Sequence, residues 1–489
     1  MPGPPAHEIV ISSRGFLFGC LLTALGVGIL TWRNPLPPVV LAVEIATVIL
    51  GLFIFGSTRY VLHKNALTYG GLLVMVATFF PLWWPRSVFY ALWHDRNGEA
   101  LWQGLAPHLL TLTGWERLLH ADTMLFILGL TLFVNVIAKT ELLETLSFWN
   151  LRRLRGRLFA VVLSLVMGVA VASGVLDGVS MVGFMIRILV ILLTAAGLAQ
   201  ERLIFIVLTS VVVTTVCGMW LAYGEPPNLI MKSNLELSDM FFLKNTLPLA
   251  VISLVVVLWG IRQRLLGILI SETTIQRLFE KLSPSIKAQR CGLLSFIPFI
   301  LLLFWHSQNH EIPLFVSSFA GFACAWMGLS AQARRIALHE ATEEYREYLF
   351  LFPLFLSITM LSAVHFFDPI KTMLEHSSIG VSHLAAIQFL ASGLLSAMLD
   401  NNVVADFASR AIEGLPQMPL YAAAQIAGYA TGGCLTHIGS AQSVVAFAYI
   451  RKHIAKNFTP WDWIKAVWAL IAAISVALVA AIYLLAALY

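Results

Sequence analysis

Charge is what this sequence has least of. Aspartate, glutamate, lysine and arginine make up 12% of its 489 residues, against about a quarter in a soluble globular chain. That scarcity excludes an ordinary water-facing surface, and it leaves 59% apolar residues and a mean hydropathy of +0.83 to be covered by lipid. Cysteine is sparse too: Cys20, Cys217, Cys291, Cys324 and Cys434 lie far apart without a CxxC pair, which excludes a disulfide framework or a thiolate metal site. The two-residue alternation of a transmembrane barrel is missing, since runs such as LAVEIATVILGLFIF are apolar all round. A cleavable leader is not expected either. The apolar run after Arg14 ends in TWRNPLPP with no small-residue cleavage site, so a retained first span is expected. The net charge of +5 points to basic cytoplasmic loops and not to a nucleic-acid partner.

What is present is a series of apolar stretches near the ~20 residues that cross a bilayer as a helix. The expectation is an all-α polytopic membrane protein with about 12–14 hydrophobic segments, one of them at 38–56 with a lone carboxylate, Glu44. Basic residues gather at Arg152 to Arg157, Arg262 to Arg290, Arg334 to Arg346 and Arg451 to Lys456. Placing these loops in the cytoplasm satisfies the positive-inside rule and puts the N-terminus inside. A bacterial inner membrane is the expected location. The stretch ALHEATEEYREY at 337–348 reads as a solvated cytoplasmic helix, with Glu343 and Glu344 near Arg346.

Two segments repeat. ASGVLDGV, beginning at Ala172, aligns with LSAMLDNN, beginning at Leu395, matching Ser173 with Ser396, Leu176 with Leu399 and Asp177 with Asp400. Downstream, GMWLAYGEPPNLI and GCLTHIGSAQSVV align Gly218 with Gly433 and Gly224 with Gly439. The first aspartate segment is entered from a loop that charge places inside, the second from Phe367 to Gly380, which the same counting places outside. The halves are therefore read as inverted repeats with broken helices and re-entrant hairpins, an architecture of secondary transporters. By this reading residues 1–118 are scaffold spans, 119–262 the first repeat, 263–348 connecting spans and loops, and 349–489 the second repeat.

The chemistry follows from the breaks. Interrupted helices survive in lipid only where their freed backbone groups are buried in protein or line a cavity. Such backbone, with a carboxylate beside it, suits a small hard cation, and burial lets a proton compete for the same carboxylate. Asp177, Asp400 and Asn401 are the expected ligands of that cation, with Asn402, Ser173, Ser396, Gly224, Asn228, Thr436, Gly439, Ser440 and Ser443 lining the site. Glu225 and His437 are candidate proton relays. No cofactor is expected beyond the transported Na⁺ or Li⁺ and H⁺.

At these residues the sequence resembles the ion transporter superfamily, which includes NhaD-type sodium/proton antiporters, arsenite permeases and dicarboxylate/sodium symporters. LLSAMLDNNVV is similar to its Leu-Asp-Asn signature, GGCLTHIGSAQSVVAFAYIRK to the Thr-x-Ile-Gly-Ser segment of NhaD-like members, and GEPPNL to the Gly-Asp-Pro-Pro-Asn turn of arsenite-permease-like members. The resemblance implies a scaffold plus a transport domain, a homodimer, and Asp177 and Asp400 as the proton-exchanging carboxylates. Gly178 stands where that family usually carries Asn. The function expected is Na⁺ or Li⁺ for H⁺ antiport. An anion permease for arsenite or a dicarboxylate is the alternative within transport. A remote alternative is an intramembrane aspartyl protease, which lacks support because the Gly-x-Gly-Asp and Pro-Ala-Leu motifs are absent. The protein is not expected to be an enzyme.

Overall fold

The computed structural model describes residues 9–10, 12–31, 60–61, 64–83, 110–111, 114–116, 120–280, 285–308, 312–346, 348–349, 351–363 and 365–488. The expected span at 38–56, and Glu44 with it, lies outside them. Among the described residues the regular structure is helical apart from a two-residue parallel pair, Ile9–Val10 with Tyr60–Val61, and an isolated antiparallel bridge between Arg157 and Leu269. Seven described helices are long and apolar enough to cross a membrane, and four shorter apolar helices accompany them.

The labelled helices, in chain order, are α1 (Ser13–Thr31), α2 (Lys64–Trp83), α3 (Ala121–Ala138), α4 (Leu158–Ala172), α5 (Gly178–Ala195), α6 (Gln200–Thr215), α7 (Pro226–Asn234) and α8 (Leu247–Leu265). They continue with α9 (Ala331–Arg346), α10 (Leu351–Ala363), α11 (Asp368–Glu375), α12 (Val381–Met398), α13 (Asn401–Ile412), α14 (Met418–Leu435), α15 (Ala441–His453) and α16 (Pro460–Ala486).

The chain packs as two compact units. One comprises residues 1–124, 347–378 and 406–415, the other 125–346, 379–405 and 416–489. In the first, Gly70 on α2 lets Cys20 and Phe16 of α1 come close. A second contact region there is built on Ile358, Met360, Leu361, Phe367 and Ala411, with Met75, Phe366 and Phe407 packed against it.

The second unit carries both aspartate segments and both glycine turns. Its centre is α6 and α14, whose side chains are buried along almost their whole length: residues 203–215 of α6 and 420–434 of α14 are all withdrawn from solvent. Helices apolar all round belong inside a bundle, shielded from lipid by other helices. Small residues make this possible. Along α14 the run AAAQIAGYATGG brings Gly428 and Gly432 against the backbone of α12 at Phe389 and Gly393, the close approach by which helices associate where no hydrophobic effect drives them together. Trp463 of α16 is fully buried and donates its indole N–H to Cys434 O at 3.1 Å. That bond satisfies a carbonyl at the C-terminal end of α14, where no intrahelical donor remains.

Each repeat breaks twice. The first break separates α4 from α5 at residues 173–177, and the second separates α6 from α7. There α6 tightens into a 3₁₀ turn, Cys217–Trp220, before Leu221 becomes extended. In the second repeat Leu399 is extended between α12 and α13, and Thr436 is extended after α14. A π turn, Phe242–Thr246, precedes α8 and lets Thr246 Oγ1 donate to Met219 O at 2.8 Å, within the first repeat's 3₁₀ turn.

Candidate ion-binding site

The two aspartates occupy equivalent places. Asp177 is the N-cap of α5, its carboxylate accepting from the Ser180 N–H at 2.8 Å. Asp400 directly precedes α13 and accepts from the Asn402 backbone N–H at 3.0 Å and the Asn402 side chain at 2.6 Å. A carboxylate at a helix N-terminus meets unpaired N–H groups and the positive end of the dipole. The residue that caps the helix is therefore the candidate ligand in each half, and both side chains are buried.

The turn glycines lock onto the breaks in the same way twice. Gly178 N donates to Gly224 O at 2.9 Å, and Asn401 N donates to Gly439 O at 3.1 Å. A Cβ on Gly224 would lie 1.8 Å from Ser173 O, and one on Gly439 would lie 2.6 Å from Ser396 O. Gly218 and Gly433 sit in turn against the side chains of Ser173 and Ser396. The serine, aspartate and glycine pairs of the sequence alignment thus have their counterparts in contact geometry. Ser173 and Ser396 serve this packing: their hydroxyls donate to Ala170 O and Tyr429 O, and their carbonyls receive the glycines.

The halves then meet. Glu225, the N-cap of α7, makes no cap bond with its side chain. Instead its two carboxylate oxygens accept from Gln442 Nε2 of the second repeat at 2.8 and 2.9 Å. Both partners crowd Gly178, where a Cβ would lie 2.2 Å from Glu225 Oε1 and 2.6 Å from Gln442 Nε2. The glycine that departs from the resembling family is thereby explained: its missing side chain is the space that Glu225 and Gln442 occupy. Glu225 interacts electrostatically with both Asp177 and Asp400, so the three buried acids share one neighbourhood. A second link is Tyr429 Oη donating to Asn228 Oδ1 at 2.6 Å, with Asn228 Nδ2 donating to Leu221 O.

The remaining expected residues take supporting positions. Thr436 Oγ1 donates to Ala397 O at 2.6 Å, tying the second turn to the end of α12. Ser440 caps α15 by accepting from Ser443 N, and Ser443 Oγ donates to Gly433 O at 2.8 Å. His437 lies tilted against Phe447, ring centroids 4.5 Å apart. Asn402 Oδ1 is buried with no hydrogen-bond partner among the described residues, an acceptor beside Asp400. Among the described residues no three of His, Cys, Asp and Glu converge on one point as metal ligands, so a cation here would draw on carboxylate, amide and backbone oxygens, the ligands hard cations prefer.

Sequence reading missed one carboxylate. Glu344 lies on α9, which the charge pattern presents as a solvated helix, yet Glu344 is turned inward. Its Oε2 accepts from Asn135 Nδ2 of α3 at 2.6 Å and its Oε1 lies 2.9 Å from Ser180 Oγ, itself 2.6 Å from Asp177 Oδ2. Lys139 pairs with Glu340 at 2.7 Å and holds α9 to α3. Enclosure away from water, and then the charge of Asp177, raise the Glu344 carboxyl above the ordinary glutamate range. The signal was present as spacing: Ala337, Ala341 and Glu344 fall on one helical face, and both alanines are buried. Gln442, Ser180 and Tyr429 were likewise not singled out.

Paired breaks, capping carboxylates and glycine turns in two repeated halves define a membrane-embedded secondary transporter. The citrate transporter (CitMHS) family profile matches residues 52–425, and the chain belongs to that family. It is 26% identical over 382 residues to an uncharacterized transporter of Mycobacterium tuberculosis, covering 74% of this chain and 85% of that protein. In fold it is similar to the YdaH transporter of Alcanivorax borkumensis, with a TM-score of 0.54 at 14% identity over 84% of this chain and 97% of the other. MtrF of Neisseria gonorrhoeae, described as one of a class of antimetabolite efflux pumps, gives a TM-score of 0.53 at 13% identity over 95% and 97%.

Proposed function

We propose that this transporter exchanges a small cation, Na⁺ or Li⁺, for protons at Asp177 and Asp400, with Glu225 as a third, proton-holding acid beside them. The observation that carries the reading is the place of the buried Glu225 carboxylate: it fills the space beside Gly178, the residue after Asp177, and is bonded to Gln442 of the half that carries Asp400. Three ionised carboxylates confined together repel one another and forfeit their hydration, so the group must hold protons or a cation. Competition between the two is sufficient to couple their movements. The helix N-termini at Asp177 and Asp400 stabilise negative charge, and the unpartnered Asn402 Oδ1 adds a neutral oxygen beside Asp400.

The test is dissipation of an imposed pH gradient in proteoliposomes on addition of Na⁺, Li⁺ or K⁺. Na⁺- or Li⁺-driven dissipation that is lost in Asp400→Asn, with the variant still folded, supports the reading; unchanged dissipation in that variant ends it. A second reading is favoured by the family's description: uptake of a carboxylate anion such as citrate, arriving with cations because its own charge would be repelled by the acids of the site. Labelled citrate accumulating in the same vesicles only when a cation is supplied would decide for it. Arsenite in the same assay tests the permease alternative.

A further inference from the structure

We infer that Glu344 of α9 holds a proton for Asp177 and passes it through the Ser180 hydroxyl, making α9 the proton-side partner of the first repeat. The inference rests on counting hydrogens along four residues. Asn135 Nδ2 has two hydrogens, and both are used, one on Thr131 O at 2.9 Å and one on Glu344 Oε2 at 2.6 Å. Ser180 Oγ lies 2.6 Å from Asp177 Oδ2 and 2.9 Å from Glu344 Oε1. A hydroxyl has one hydrogen. Two contacts of hydrogen-bond length between three oxygens need two protons, so one carboxyl must supply the second.

Asp177 Oδ2 already accepts the Ser180 N–H as the N-cap of α5, which favours its ionised form, whereas Glu344 receives no backbone N–H from that turn and sits in the last turn of α9, at the negative end of its own helix dipole. The extra proton therefore sits on Glu344, and the chain runs in one direction: Asn135 donates to Glu344, Glu344 to Ser180, Ser180 to Asp177. One shift empties it. The Glu344 Oε1–H bond breaks as a new Ser180 Oγ–H bond forms, and the original Ser180 O–H breaks as Asp177 Oδ2–H forms. A single proton moves from Glu344 to Asp177 with no other reactant, and the Glu344 carboxylate left behind keeps its Asn135 donor.

Asp177 and Arg187 interact with Glu344 from α5. Lys139, the residue after α3, is engaged with Glu340, and on α9 itself Glu343 pairs with Arg346 on the exposed side.

The role in coupling rests on the antiport reading, but the test of protonation does not require transport. Glutamine at position 344 reproduces the donor pattern of the protonated acid: its oxygen accepts from Asn135 and its N–H donates to Ser180. Thermal unfolding of the purified protein in lipid is followed across pH for the wild type, Glu344→Gln and Glu344→Ala. A group whose folded pKa is raised contributes stability at low pH and loses it as pH rises through the raised value. The expected result is that Glu344→Gln folds, stays more stable than Glu344→Ala, and gains on the wild type as pH rises. In infrared spectra the protonated-carboxyl band of the wild type diminishes in Glu344→Gln and persists in Glu343→Gln. A pH-independent gap between wild type and Glu344→Gln, an unaltered carboxyl band, or failure of Glu344→Gln to fold would overturn the inference. Absence of Na⁺-driven exchange in the wild type would overturn the antiport reading alone.

Discussion

The amide of Gly178 donates to the carbonyl of Gly224 at 2.9 Å, and 223 residues along the chain Asn401 repeats the bond to Gly439 at 3.1 Å. Each bond fastens the residue after a capping aspartate to the turn that follows in the same half. Broken helices need such fastening, because a buried backbone group without a partner costs about 1–3 kcal/mol.

The fastening sets a glycine requirement that is steeper in the first half. Gly224→Ala would drive a Cβ to 1.8 Å from a backbone oxygen, Gly439→Ala to 2.6 Å from its counterpart. Overpacking typically costs about 1–3 kcal/mol, and backbone cannot swing aside as a side chain can. Gly224→Ala is expected to lower the melting temperature more than Gly439→Ala. Gly183→Ala, where a Cβ meets nothing within 4 Å, is expected to leave it unchanged or raised.

Gly178→Ala separates function from stability. The added Cβ meets the ends of two side chains, Glu225 and Gln442, which can move. The expected outcome is a melting temperature close to wild type with weakened Na⁺ binding, measured by titration calorimetry. Equal loss in both quantities would show that the Glu225–Gln442 pair is packing and nothing more.

Much of this was legible in the sequence, and the limits were physical. Composition announces lipid because too few charges remain to wet a surface, and the matched Ser, Asp and Gly positions are visible because contact geometry constrains them equally in both halves. Glu225 was visible as a candidate proton relay beside a turn, but not as a partner of the second half. Its importance comes from Gln442, which is far away in sequence and has no local reason to be polar. Glu344 was hidden for a different cause. A helix with many charges reads as solvated, and only its partners on α3 and α5 show that one of those charges faces inward.

Tyr429→Phe tests the second link between the halves. Removing the hydroxyl leaves Asn228 Oδ1 without its donor at a buried position, a loss of about 1–3 kcal/mol. The variant is expected to melt earlier while the hydrogen-bonded Glu225–Gln442 pair, and with it cation binding, is retained. Calorimetric melting and a binding isotherm on the same sample separate the two.

The central claim is that protons and a cation compete for the same buried acids. The direct measurement is the apparent Na⁺ affinity of the purified protein, from binding isotherms over a series of pH values. If one proton must leave for each Na⁺ bound, affinity falls by about tenfold for each pH unit of acidification below the site's pKa, and Asp177→Asn and Asp400→Asn flatten that dependence. Na⁺ affinity that ignores pH, or that survives unchanged in both variants, would contradict the account.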